Sequence, residues 1–229
     1  MPAKPRFTRA QLQAAALTLV DGQGLAALSM RTLAAALGTG PMTLYNYVHD
    51  RDALDALVVD AVMSEVRLPR PRADWQQDVR AIAEAMWRAA RNHPNVVPLI
   101  LTRRSLHEAT LEPAEALLQA LARGGRSGAA LLVAFRTVSG FVAGFAQAQL
   151  AGPLASGRDI AADPAVTRIQ AMPPERFPRL IEIAHAASRM GAEQEFRTGL
   201  AIIMAGLVAQ ASEPLPAGRQ RARSRIKSG

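Results

Sequence analysis

The stretch LAAALGTGPMTLYNYV, residues 33–48, decides the fold. Leu33, Ala34 and Leu37 share one helical face. Gly38 can take the left-handed backbone that closes a helix. Pro41 suits the first turn of another helix, where its missing N–H is not needed. Gly38-Thr39-Gly40 is therefore a turn between two short helices, a helix-turn-helix. Ser29 is placed to cap the first, predicted over 30–37, and the second is predicted from 41 to about 48. Leu44 and Val48, at i and i+4, face inward. Pro41, Met42, Thr43, Tyr45, Asn46 and Tyr47 are left facing outward.

The same signals extend in both directions. Thr8 caps a predicted helix to about 20, with Leu12, Ala15, Ala16 and Leu19 on one face, and Gly22 and Gly24 end it. Asp50 caps a fourth helix, 51–66, with an apolar stripe from Ala53 and Leu54 to Ala61 and Val62. Pro69 and Pro71 close an N-terminal domain, 1–68. A larger helical domain, 72–211, follows. Its helices open near Asp74, at about 112, at Ser127, after Pro178 and at 192, with a short segment over 95–101. Between 151 and 177, prolines and glycines without a pattern predict a loop. The tail, 212–229, is basic and reads as disordered. Nothing alternates over strand length, so the fold is expected to be all-α.

The totals narrow the chemistry. The 229 residues carry a net charge of +8, which suits a polyanionic partner. There is no cysteine, which excludes disulfides, thiolate metal sites and thiol nucleophiles. His49, His93, His107 and His185 have no close metal spacing. No nucleophile elbow, Walker or dinucleotide pattern stands in its required context, so neither an enzyme nor a cofactor is expected. No secretory signal is visible. The apolar run 129–150 contains Arg136, Gln147 and Gln149 and reads as a buried helix, not a membrane span. The chain is expected in the cytoplasm, at the nucleoid when bound to DNA.

A recognition helix needs an exposed polar face near its N-terminus, the end that enters the major groove. Thr43 and Asn46 can meet base edges, and Tyr45 and Tyr47 can reach phosphates. Arg31 and Arg51 flank this face. The alternative is a helical binding or scaffold protein whose short pair only packs. Charge leaves that open: residues 1–50 hold four basic and two acidic side chains, and a single copy has a weak electrostatic footprint.

The stretch LSMRTLAAALGTGPMTLYNYVHDRDALDALV, residues 28–58, resembles the TetR family of transcriptional regulators. It carries the glycine turn at Gly38, Thr43-Leu44-Tyr45, Tyr47, Asp50, Arg51 and Ala53-Leu54 in the family's order. The resemblance implies a ligand-responsive repressor that binds double-stranded operator DNA as a homodimer, with an activator of the same fold as the variant reading. It implies DNA contacts at Arg31, Pro41, Met42, Thr43, Tyr45, Asn46, Tyr47 and Arg51. The body resembles, more faintly, the C-terminal domain of tetracycline repressors in LDALVVDAV and RNHPNVVPLILTR. There Pro98 stands where a metal-binding histidine is implied, and Arg67 near a drug-contacting one. The expected effector is therefore a small apolar molecule bound without a metal. Trp75, Met86, Leu99, Leu101, Leu117, Phe141 and Phe145 are the expected pocket wall, with His93, His107, Arg103, Arg104, Gln147 and Gln149 as polar handles. The glycine-containing helices around Phe141 and Phe196 are expected to pair two copies.

Overall fold

The computed structural model describes residues 6–102, 106–151 and 164–211, and these contain helices and turns but no strand. The first three helices are α1 (Arg9–Gln23), α2 (Met30–Ala36) and α3 (Pro41–Leu44). Thr8 caps α1 in a reciprocal pair with Gln11, and Ser29 caps α2 with Thr32 in the same way. Gly38 takes φ +62° at the turn. Helix α3 is shorter than predicted: after Leu44 the chain makes a tight turn, with Tyr47 N donating to Leu44 O at 2.8 Å. Asp50 caps α4 (Arg51–Ser64) by accepting from Ala53 N at 2.7 Å.

The body contains α5 (Trp75–Asn92), α6 (Val97–Thr102), α7 (Glu108–Arg123), α8 (Gly128–Ala151), α9 (Pro164–Gln170), α10 (Pro178–Ala187) and α11 (Ala192–Ala211). Two departures from the sequence expectation have local causes. Helix α7 starts four residues before the predicted position, because His107 caps it and Pro113 is accommodated inside at the loss of one backbone bond. Helix α9 occupies part of the predicted loop. Its Val166 is buried, and Gln170 Nε2 donates to Ser188 Oγ at 3.3 Å just beyond α10. The basic tail lies outside the described residues.

Two apolar cores meet. The head core joins Leu12, Ala16, Val20, Leu28, Leu33, Leu44, Val48, Leu54 and Val58, and runs on into Ala85, Ala89 and Leu99 of the body. The body core centres on Phe196, with Leu117, Leu121, Val138, Leu200 and Met204. Met86 and Ile100 pack against both cores, so head and body share a wall. Trp87 stacks on Phe196 at 4.5 Å, and Phe141 and Phe145 complete the aromatic cluster. A Cβ at Gly199 would stand 2.7 Å from the Phe141 ring, so glycine is what lets α11 lie this close to α8.

Polar side chains tie the halves. Asp60, fully buried on α4, accepts from Arg9 Nη2 of α1 at 2.6 Å and from Thr110 Oγ1 of α7 at 2.8 Å. Asp78 of α5 is buried and accepts from Arg72 N at 2.9 Å and from Arg123 of α7. Arg126 lies 4.9 Å from the Trp75 ring centre and donates to the Leu207 carbonyl, which fixes the end of α11.

Candidate nucleic-acid interface and ligand cavity

The turn after α2 and the whole of α3 stand at the surface of the head. Met42 is 78% exposed and Tyr45 46%, while Leu44 between them is fully buried. Arg31, Pro41 and Asn46 are exposed, and Thr43 is half-buried. Leu44 and Val48 thus anchor a face whose remaining side chains meet solvent. Tyr47 is set differently. Its ring packs edge-on against Phe7 with centroids 6.2 Å apart, and its hydroxyl oxygen accepts from Phe7 N at 3.2 Å. The hydroxyl proton remains available to a phosphate oxygen. Arg51 is largely committed within the head. It donates through Nη1 to the Leu28 carbonyl at 2.6 Å and forms an ion pair through Nε with Asp55 Oδ1 at 2.8 Å. It therefore clips the entry of α2 to α4, a role the sequence reading did not give it.

Between α4, α5, α6 and α8 lies a cavity of 530 Å³. Met63 closes it from α4, Met86 and Ala90 from α5, and Val97 and Ile100 from α6. Arg136, Ser139, Gly140, Val142, Ala143 and Ala146 form its α8 side. Its space comes from small residues: a Cβ on Gly140 would touch nothing within 4 Å. Of the expected wall, Met86 is present. Leu99 is in the head core and Leu117 in the body core, Trp75 faces Arg126, and Phe141 and Phe145 pack in the aromatic cluster. The Leu101 side chain, Arg103 and Arg104 lie outside the described residues.

The expected polar handles also have other work. Gln149 accepts from Trp87 Nε1 at 3.1 Å, and His107 caps α7. His93 stands at the head–body junction, with Nδ1 2.8 Å from Asp21 Oδ2 and Nε2 2.9 Å from Glu65 Oε2. Burial lowers its pKa, but the hydrogen bonds and charges of Glu65 and Asp21 outweigh this and leave it above the ordinary value. Beside it, Asn95 Nδ2 donates to the Val20 carbonyl at 2.9 Å. Gln147 differs, because among the described residues its Oε1 is buried without a hydrogen-bond partner. Among the described residues no cavity wall residue is a histidine or a carboxylate, and Pro98 is exposed. Among the described residues no cluster of three or more His, Asp or Glu could hold a metal.

Known proteins share this arrangement. The family model for the tetracyclin repressor-like C-terminal domain matches residues 68–211. The HTH-type transcriptional repressor DrrR1 of Streptomyces coeruleorubidus is 32% identical over 149 residues, 64% of this chain and 55% of its own length. An HTH-type transcriptional regulator of Saccharopolyspora erythraea is 35% identical over 147 residues, 64% of this chain and 62% of that protein. The match thus spans little more than half of either relative. ActR of Streptomyces coelicolor, in its apo form, superposes with a TM-score of 0.77 at 31% identity, covering 92% of this chain and 99% of ActR. The head with its exposed turn helix, the helical body and these matches lead to one conclusion: the chain belongs to the TetR family, with a tetracyclin repressor-like C-terminal domain.

Proposed function

We propose that this chain is a ligand-responsive transcriptional repressor, which binds double-stranded operator DNA as a homodimer and leaves it when a small, largely apolar molecule fills the cavity. The observation that carries this reading is the course of α4. It begins at Arg51, just after the recognition turn, buries Leu54, Leu57 and Val58 in the head core, and ends with Met63 in the cavity wall. A ligand that presses on Met63 pushes the helix on which α2 and α3 rest. Two recognition helices must reach major grooves about 34–36 Å apart, so a shift of α4 in each copy removes the fit. ActR, structurally similar to this chain, has been solved with (S)-DNPA and with actinorhodin, and DrrR1 is a named repressor.

Thr43 and Asn46 read base edges in this scheme, Tyr45, Tyr47 and Arg31 hold phosphates, and Pro41 and Met42 set the close approach. Arg51 contributes mainly by holding the head together. The second copy covers exposed apolar residues on α8 and α11: Leu132, Val133, Ile202 and Val208. Gly144 and Gly206 on these helices have open space at their Cβ positions, which lets a partner helix come close. The protein acts without catalysis or a cofactor, in the cytoplasm and at the nucleoid. Selection of bound duplexes from a random pool tests the reading. It should return a two-fold symmetric site with half-sites about one helical turn apart. Enrichment of no sequence over the starting pool overturns it.

A further inference from the structure

Among the described residues the cavity has one charged group in its wall. Arg136 stands on α8 one turn before Gly140 and two before Ala143, so its guanidinium is carried on the helix face that lines the space. Arg136 is exposed and, among the described residues, has no ion pair and no hydrogen bond, so its guanidinium is free to pair with an occupant of the cavity. Among the described residues the wall supplies no carboxylate to pair with it. Ser139 donates its hydroxyl proton to the Phe135 carbonyl at 2.7 Å and so leaves the cavity only acceptor lone pairs.

We propose that the effector is an acid, with an apolar body of two or three rings' bulk and an anionic oxygen group that pairs with Arg136. This deepens the effector reading above and rests on it. Filling the cavity displaces water beside the guanidinium and lowers the local dielectric, which strengthens attraction to an anion and repulsion of a cation. A planar guanidinium also matches an oxyanion in bidentate fashion, which a neutral ring cannot use. The flat wall at Gly140, Ala143 and Ala146 accepts the rings.

Two fluorescent probes with the same ring skeleton test this. 8-Anilinonaphthalene-1-sulfonate carries the anion and N-phenyl-1-naphthylamine lacks it. Both are titrated against the full chain and its Arg136→Gln variant. The sulfonate should bind the wild type more tightly, and Arg136→Gln should weaken it about tenfold, as loss of a charge-assisted hydrogen bond implies. The neutral probe should change less than twofold. Ala143→Phe, and separately Gly140→Leu, should abolish both, with circular dichroism confirming the fold. If both cavity-filling variants fold and leave binding intact, the probes sit elsewhere and the cavity reading itself fails, as it does if neither probe binds. If those variants abolish binding but Arg136→Gln weakens the two probes equally or not at all, the cavity stands and the acid assignment is overturned.

Discussion

His93 Nε2 lies 2.9 Å from Glu65 Oε2, although 28 residues separate them in sequence. The other ring nitrogen holds Asp21, so one imidazole ring joins α1, the end of α4 and the end of α5. Both nitrogens can donate only when the ring is protonated. Because the pair raises the folded pKa, its contribution to stability is complete below the ordinary histidine value and is lost as pH rises through the raised one. His93→Ala should cost about 1 kcal/mol at pH 6, after discounting for the partly exposed carboxylates, and much less at pH 9. Thermal unfolding of both proteins across that range measures it. A difference independent of pH would refute the charged clamp.

Tyr45 and Asn46 are exposed and bear no part of the head core. Tyr45→Ala and Asn46→Ala should leave the melting temperature unchanged while weakening operator binding, by about 1–3 kcal/mol where a bidentate base contact is lost. Gel-shift titration on a selected operator reads this, and unchanged affinity in both variants contradicts the assignment.

Arg51 and Arg31 should separate two kinds of arginine. Arg51→Ala removes the bonds to Leu28 and Asp55 and should lower stability by about 1–3 kcal/mol. Arg31→Ala should leave stability alone and reduce the slope of log affinity against log salt by about one, as loss of a phosphate contact does. The two are distinguished by denaturant unfolding beside salt-dependent anisotropy.

Ile202 is 70% exposed on α11. In a two-fold interface a substituted residue meets the interface from both copies, so Ile202→Lys places two charges into one apolar contact. Sedimentation at micromolar concentration should give twice the chain mass for the wild type and shift toward the single chain mass for the variant. A variant that remains a dimer moves the interface away from this face.

Among the described residues Gln147 Oε1 is buried without a hydrogen-bond partner, and burying an amide oxygen in this way costs free energy. Gln147→Leu, close in volume, should stabilise the empty protein by about 1 kcal/mol. Calorimetric unfolding without ligand decides it, and a destabilised variant means the amide is satisfied in solution.

The head was legible because its determinants are local. Ser29 with Thr32, Thr8 with Gln11, Asp50 with Ala53, Gly38 and Pro41 act within a few residues of one another. Helix α9 was not, since Pro164 at its start reads equally well as a turn. The cavity was missed for a different reason. Periodicity marks apolar faces but not which gap between them stays open, and the large side chains at Trp87, Phe141 and Phe145 fill their own space against Phe196. The signal lay in small residues, Gly140, Ala143 and Ala146, opposite Met86 and Ile100. His93 was expected as a pocket handle, and its place at the head–body junction was not legible because its partners are 72 and 28 positions away.

The buried Asp60 gives α4 a fulcrum. Arg9 of α1 and Thr110 of α7 both bind its carboxylate, so under the proposed ligand-driven movement this point resists translation. Met63 is three residues beyond it and Arg51 nine before, or about 4.5 Å and about 13.5 Å along the axis at helical rise. A rigid rod pivoting there is a lever with arms in a ratio of about three to one. One ångström of displacement at the cavity end becomes about 3 Å at the end beneath the recognition turn. A ligand can therefore act at Met63 through a movement no larger than a side-chain adjustment, and the gain is set by where along α4 the aspartate sits.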